Sequence, residues 1–481
     1  MLKLHLILAL RNLLKRRFYA SIEIAGLAIG LACLVVILLH FRKETSYDKF
    51  VTDYKKIFRV LNLESGTGNR YSGGASALGL HARTEVPGIT ELVRVFFPYR
   101  MFSTSALISI DDRRFYEDNI IEADSNFFRM FDFTLLEGYA GSALRHPNSV
   151  VISERVAIRL FGRQPALGKT LQIDGGELQV SGVARVPQNT HLAFDFLRPA
   201  HHNPGQLNVW EHTLAFTYLK VRDPELVPEI ERQLHDIILK NATTENTDYL
   251  KSYFQILQPL AEIHNTVIQW DIVKPVSRMQ LWSILGLAVF ILLLAVTNFV
   301  NLTTARAGER MKETGISKIL GASRRRLTMQ FFAEFFIASV LAGALALIFL
   351  PWLTKVFNAA MNTSLDSREI MELPMILLFI FTLIVTAVLS GVYPAAKLSR
   401  FRPTDVFKRA TSTGRPQHRL RSILVVFQFV ISIGLLSGTF IVRNQVQFLQ
   451  KADLGFNKEH VYIVRFRQAD PARFERLKNL L

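Results

Sequence analysis

Five apolar runs interrupt the chain, Ile22 to Leu39, Leu281 to Val300, Phe331 to Leu350, Met375 to Val392 and Ile423 to Val442. Each approaches the roughly twenty residues that a helix needs to cross a bilayer. Between the first and second, from Thr45 to about Arg278, the pattern becomes that of a soluble domain. There Ser153 can cap a helix whose Val156, Ala157, Leu160 and Phe161 lie on one side and which stops at Gly162. Leu171-Gln172-Ile173 and Leu178-Gln179-Val180 alternate around Asp174-Gly175-Gly176, a hairpin signal. Leu226, Val227, Ile230, Leu234, Ile237 and Ile238 recur at helical spacing and predict an amphipathic helix ending near Asn241. The pattern predicts a membrane α-helical protein of about five spans carrying a large extracytoplasmic α+β domain.

Composition sharpens this picture. Of 481 residues 49% are hydrophobic, and they are clustered rather than spread, as in a membrane protein. The net charge of +17 could suggest nucleic acid. The Lys and Arg gather beside the apolar runs, however, with no aromatic-interleaved basic face, so membrane topology accounts for the charge and no nucleic-acid partner is expected. Lys3, Arg11, Lys15, Arg16 and Arg17 precede the first run, and His40-Phe41-Arg42-Lys43-Glu44 follows it without a small-residue cleavage site. That combination reads as an uncleaved anchor with a cytoplasmic N-terminus. Basic clusters then alternate sides. Arg306, Arg310, Lys312, Lys318, Arg324, Arg325 and Arg326 follow the second run, and Lys397, Arg400, Arg402, Lys408, Arg409, Arg415, Arg419 and Arg421 follow the fourth. The connector from Pro351 to Leu373 holds only Lys355 and Arg368. An odd number of spans leaves the C-terminus outside.

Candidate chemistry is sparse. Gly162 to Thr170 looks like a phosphate-binding loop but has five residues between Gly162 and Gly168 where the motif has four. Pro165 removes a donor there, a helix precedes the loop, and Lys169 leads into a strand. His191 and His201-His202 lack metal-ligand spacing and read as solvated loop residues. Cys33 is the lone cysteine and lies within a span, so no disulfide or thiolate cluster forms within one chain. Glu23 reads as an interfacial group that snorkels. Asn298, Asn301, Gln330 and Glu334 read as interhelical hydrogen-bonding or interfacial groups rather than an ion path. Without a Walker A loop, nucleophile elbow or metalloprotease helix, no catalytic, cofactor-binding or metal residue is assigned and the chain is not expected to be an enzyme. Gly26 and Gly30 form a G-x-x-x-G pair for close helix approach, and Gly434 and Gly438 repeat it at a constant offset after a second Arg-rich lead-in.

Asn298 to Glu334 joins two spans through a short basic amphipathic helix. Met311, Ile316, Ile319 and Leu320 fall near one face, with Lys312, Glu313, Ser317 and Lys318 largely elsewhere. Gly321 sits where a helix end wants positive φ, and Ser323 can cap the next helix. On pattern alone this is also an ordinary basic loop obeying the positive-inside bias. The wording, Glu313-Thr314-Gly315-Ile316-Ser317-Lys318-Ile319-Leu320-Gly321-Ala322-Ser323, closely resembles the coupling-helix segment of the MacB/FtsX-like permeases of ABC transporters. The resemblance implies that Glu313, Gly315, Ile316, Lys318, Leu320, Gly321 and Ala322 couple the chain to an ATPase. Ser317 stands where the family usually has Arg, which weakens any contact that Arg makes. Ser46-Tyr47-Asp48-Lys49-Phe50, Val150 to Glu154, Leu160-Phe161-Gly162, Leu167 to Leu171 and Ser181 to Phe196 resemble the family's periplasmic domain, and Tyr393 to Pro403 its cytoplasmic exit. Val425 to Ser432 and Asp453 to Lys458 resemble the start of a second repeat in two-repeat members.

These readings divide the chain into a cytoplasmic lead-in and first span (1–44), a periplasmic α+β domain of the MacB core type (45–278) and an FtsX-like three-span segment (279–398) with the coupling helix near 308–322. A cytoplasmic linker (399–421), a fifth span (422–443) and a truncated start of a second periplasmic domain (444–481) follow. The resemblance implies a multi-pass inner-membrane permease that binds no cofactor itself, with ATP used by a cytoplasmic ABC ATPase dimer. It further implies a second permease half or a homodimer, and allows a periplasmic adaptor and an outer-membrane channel. Expected functions are export of antimicrobial-peptide or macrolide-like hydrophobic cargo, lipoprotein release, or a non-transporting scaffold that controls a cell-wall hydrolase. Each needs a rigid link from handle to domain, expected at Arg278 to Leu281 and Thr303 to Arg306.

Overall fold

The computed structural model describes residues 11, 17–100, 104–200, 208–210, 215–242, 245–269, 271–272, 275–305, 315–400, 416–452, 475–476 and 478–479. It divides into two compact units, one of Met1–Phe41 with Trp282–Leu481 and one of Arg42–Leu281. In chain order, α1 (Arg17–Thr45) leads to β1 (Ile57–Glu64), β2 (Arg70–Ser72), α2 (Ser76–Glu85), β3 (Ile89–Phe96), β4 (Ala106–Ile110), β5 (Arg113–Glu117) and β6 (Ile120–Ala123). Next come β7 (Thr134–Gly138), β8 (Ser149–Ser153), α3 (Glu154–Phe161), β9 (Thr170–Ile173), β10 (Gly176–Arg185), β11 (Phe196–Pro199), β12 (Phe216–Val221), α4 (Val227–Asn241) and β13 (Tyr253–Pro259). The long helices α5 (Arg278–Ala305), α6 (Arg324–Met361), α7 (Leu373–Arg400) and α8 (Pro416–Lys451) complete the described chain.

In the α+β unit the strands form one mixed sheet in the order β13-β1-β12-β3-β6-β11-β8-β10-β9-β4-β5, with β2 added to β1 and β7 to β10. The β6–β11 and β8–β10 pairs are parallel. Strand periodicity sorts residues between cores. On β12, Phe216 and Tyr218 join an aromatic-rich core with Phe127, Phe131 and Phe194, while Leu219 and Val221 face α2 and α4 on the other side. Ile230, Leu234, Ile237 and Ile238 of α4 supply that second core, which is the face their spacing predicts. A third core packs Val156 and Leu160 of α3 against β4 and β8 to β10. Local chemistry follows expectation. Ser153 accepts a hydrogen bond from the Val156 N–H, and Gly162 ends α3 at a φ of 64°. Asp174 and Gly175, at φ 54° and 83°, make the left-handed turn between β9 and β10.

The other unit is helical. Helices α1, α5, α6, α7 and α8 are each long and apolar enough to cross a membrane. Leu27 and Leu31 of α1, Leu292 and Phe299 of α5, and Leu327, Phe331 and Phe335 of α6 share one core. The helix does not end with the apolar run at Leu350, and α6 runs through Pro351 to Met361. Pro351 lacks the N–H that would bond the Leu347 carbonyl, and one turn on Thr354 Oγ1 shares its hydrogen between the carbonyls of Leu350 and Pro351 at 3.0 Å. The helix ends at Asn362 with φ 49°. Asn358 then closes the loop by bonding both the carbonyl and the N–H of Leu365 at 2.9 Å.

Candidate coupling site

The handle is described from Gly315 onward. Its helix, 315–319, ends in a tight corner. The Ala322 N–H donates to the Ser317 carbonyl at 2.9 Å and the Gly321 N–H to the Lys318 carbonyl at 3.0 Å. This is the paired pattern that closes a helix through a left-handed residue, and Gly321 takes φ 90°. Ser323 then accepts from the Arg326 N–H at 3.4 Å and caps α6. Two helices thus meet across a corner of Gly321 and Ala322, and Leu327 anchors the second in the helical core. The corner leaves Ile316, Ile319 and Leu320 at 61%, 69% and 81% exposure. Their i, i+3, i+4 spacing makes one apolar stripe, with Arg324, Arg325 and Arg326 exposed next to it in sequence. An apolar stripe bordered by cations suits docking against a partner with an apolar groove and acidic rim.

Above the handle the helices touch through small residues. A Cβ on Gly30 would lie 2.8 Å from the Ala295 Cβ, so α1 and α5 approach closely at that residue. Gly26 faces the Asn298 side chain. Gly343 and Gly391 serve the same purpose between α6 and α7, where a Cβ would meet Leu383 at 2.7 Å and Phe335 at 2.9 Å. Asn301 and Glu334 are buried, which removes the interfacial-exposure reading for those two. Gly434 and Gly438 of α8 meet nothing within 4 Å among the described residues.

Within the α+β unit, the end of α1 is clamped. Asp48, buried at φ 59°, accepts from Thr190 Oγ1 at 2.7 Å and from the His191 N–H at 3.2 Å, and pairs with His191 Nδ1 at 2.7 Å. The other nitrogen of His191 meets the Tyr218 hydroxyl at 2.8 Å. Glu44, in the last turn of α1, pairs with His264 Nε2 at 2.5 Å, and Tyr47 stacks flat on that imidazole at 3.4 Å. The Asn189 amide donates to the Ser46 carbonyl at 3.0 Å and the Asn265 amide to the Glu44 carbonyl at 3.2 Å. Burial, with Glu44 and Asp48 adding to it, pushes the Tyr47 phenol up to about 12. Burial likewise raises Tyr218. The reading of His191 as a solvated loop residue is therefore corrected, since the core and two polar partners enclose it.

Residues 21–237 match the model of the MacB-like periplasmic core domain, and residues 285–403 match that of the FtsX-like permease C-terminal region. The chain belongs to the ABC transporter permeases of the MacB/FtsX type. It is 22% identical over 425 residues to the uncharacterized ABC transporter permease YvrN of Bacillus subtilis (strain 168), a match that covers 84% of this chain and 99% of that one. It is 23% identical over 269 residues to the macrolide export ATP-binding/permease protein MacB of Bdellovibrio bacteriovorus, covering 54% of this permease and 38% of that protein. Among solved structures it is similar to the periplasmic region of MacB from Actinobacillus actinomycetemcomitans, with TM-score 0.32 and 13% identity over 44% of this chain and 94% of that one.

In this permease the structure places Gly315, Ile316, Lys318, Leu320, Gly321 and Ala322 in one helix and corner. Glu313 and Met311 lie outside the described residues, as do His201, His202 and 453–474. Arg278 to Leu281 is the first turn of α5, and Thr303 lies in its last, while Arg306 is outside the described residues. Sequence reading missed the clamp. The stretch from Glu44 to Asp48 holds only one side of it, and the partners lie 143 residues away for Asp48 and His191 and 220 for Glu44 and His264.

Proposed function

We propose that this permease couples ATP hydrolysis by a separate cytoplasmic ATPase dimer to movement of its periplasmic domain, exporting hydrophobic cargo such as antimicrobial peptides or macrolide-like compounds. The single observation that carries this reading is the exposed stripe of Ile316, Ile319 and Leu320, held at a rigid corner on α6. The positive-inside bias supports placing that stripe in the cytoplasm. Motion at the stripe passes into α6, whose Leu327, Phe331 and Phe335 pack with α1 and α5. Helix α1 is unbroken to Thr45, and its last turn is bonded into the α+β unit through Glu44. In this reading the displacement is passed on along α1. The permease itself binds no nucleotide in this reading. Its Gly434 and Gly438 face is available to a second permease half or a second copy, and a periplasmic adaptor and outer-membrane channel would complete export.

The test is ATPase turnover by the partner co-purified with the full chain in lipid nanodiscs. Ile319→Asp with Leu320→Asp is expected to lower ATPase capture at least about tenfold, since burying two charges against a groove costs more than the roughly 1.4 kcal/mol that tenfold represents. Membrane insertion should be unchanged. Wild-type capture and stimulated turnover in that variant would sink the coupling reading.

A further inference from the structure

At the hairpin joining α6 to α7 the helical unit carries a half-open cavity of about 400 Å³. Leu347 and Leu350 of α6, Ile376 and Phe379 of α7, and Ile370 from the intervening turn form its apolar wall, with Ser367 and Arg368 as the polar residues lining it. We propose that this cavity holds one acyl chain of an anionic membrane phospholipid, with the phosphate against Arg368.

Size selects the occupant first. At the ~30 Å³ that a water molecule takes up in liquid, the space accepts on the order of a dozen methylene-sized groups. That suits much of one chain and excludes a folded peptide or a large macrocycle. Wall chemistry comes second, because an apolar cavity does not hold water well and gains from hydrocarbon. Depth is the third argument. Helix α7 begins at Leu373, so Phe379 lies about 9 Å further along the axis at 1.5 Å per residue, below the level of the turn that carries Arg368. A chain entering from the bilayer therefore brings its headgroup to the guanidinium. Charge is the fourth. Arg368 is exposed and its guanidinium makes no salt bridge among the described residues. Asp366 in the same loop is turned to the Arg368 backbone N–H at 2.9 Å, and neither Glu369 nor Glu372 lines the cavity. Arginine and phosphate match in geometry as well as in sign.

This inference rests on the membrane reading and not on the ATPase, so capture is read without nucleotide or partner. The full chain is reconstituted in nanodiscs carrying phosphatidylglycerol and phosphatidylcholine, each with a photoreactive acyl chain, and crosslinks are mapped by mass spectrometry. The expected result is phosphatidylglycerol captured within residues 347–379. Leu347→Trp, which fills the cavity from an already half-exposed position, should cut capture about tenfold. Arg368→Ala, at an exposed site, should lower the preference for phosphatidylglycerol over phosphatidylcholine about tenfold while leaving phosphatidylcholine capture unchanged. Crosslinks elsewhere, equal capture by Leu347→Trp, or no headgroup preference in the wild type would overturn the proposal. So would recovery of an acylated peptide instead of a phospholipid in the cavity of chain purified from membranes.

Discussion

Asp48 shows how one residue gathers distant segments of the α+β unit. Its carboxylate gathers Thr190 and both the backbone and ring of His191, and the left-handed φ of 59° turns the chain sharply out of α1. Tyr47 completes the joint, and its titration offers a handle. Its phenol rises to about 12, above the ordinary value of about 10. A raised folded-state value means that the folded form keeps its proton while the unfolded chain has lost it. The stabilisation is therefore complete below pH 10 and disappears as pH climbs through about 12. We predict that the unfolding midpoint of the detergent-solubilised chain falls across this window, and that Tyr47→Phe removes part of the fall. Tyr99, also raised to about 12, and the raised phenols of Tyr218, Tyr71 and Tyr249 contribute to the remainder. An unchanged slope in Tyr47→Phe would mean that the phenol does not sit buried beside Glu44 and Asp48. None of this was legible locally, because a carboxylate in a phrase does not announce a histidine 143 residues away.

At the scale of elements, the two G-x-x-x-G pairs are identical in pattern and different in use. Gly30 lets α1 reach Ala295, whereas Gly434 on α8 meets nothing within 4 Å among the described residues. Gly30→Leu should therefore loosen the α1–α5 contact and reduce the heat resistance of the purified chain by fluorescence-detected chromatography. Gly434→Leu should leave that readout alone and act only where a second copy or permease half is present. Equal damage from both would contradict the packing. The corner of the handle has a similar logic. Gly321 at φ 90° takes a backbone that a side chain strains by roughly 1–2 kcal/mol. Gly321→Ala is expected to keep the membrane core and lower stimulated ATPase turnover several-fold. Periodicity found these helices well, and the C-cap and N-cap of the handle were readable from Gly321 and Ser323. The continuation of α6 through Pro351 was not, because a proline in a helical pattern ordinarily marks the end of the helix.

For the whole molecule the main prediction is orientation. With Cys33 replaced by Ala, single cysteines introduced by Ser317→Cys and Ser367→Cys should be labelled from opposite sides by a membrane-impermeant maleimide, Ser317→Cys from the cytoplasm. Labelling of both from one side would reverse or break the positive-inside assignment, and the placement of the handle with it. The placement of the lipid cavity would fall too, while the clamp of Asp48 would stand, since it lies wholly within the α+β unit.

By itself the sequence determined the membrane spans, the α+β character of the domain, the caps and the handle's apolar face. Each depends on residues within a turn or two of one another, where spacing converts directly into a face or a helix end. Only the tertiary structure decided which glycines are occupied, that His191 is buried, and where α1 is clamped. It also showed that the α6–α7 hairpin forms a half-open apolar pocket. Those outcomes depend on which distant segments arrive together, and a local pattern of polar and apolar positions carries no record of that.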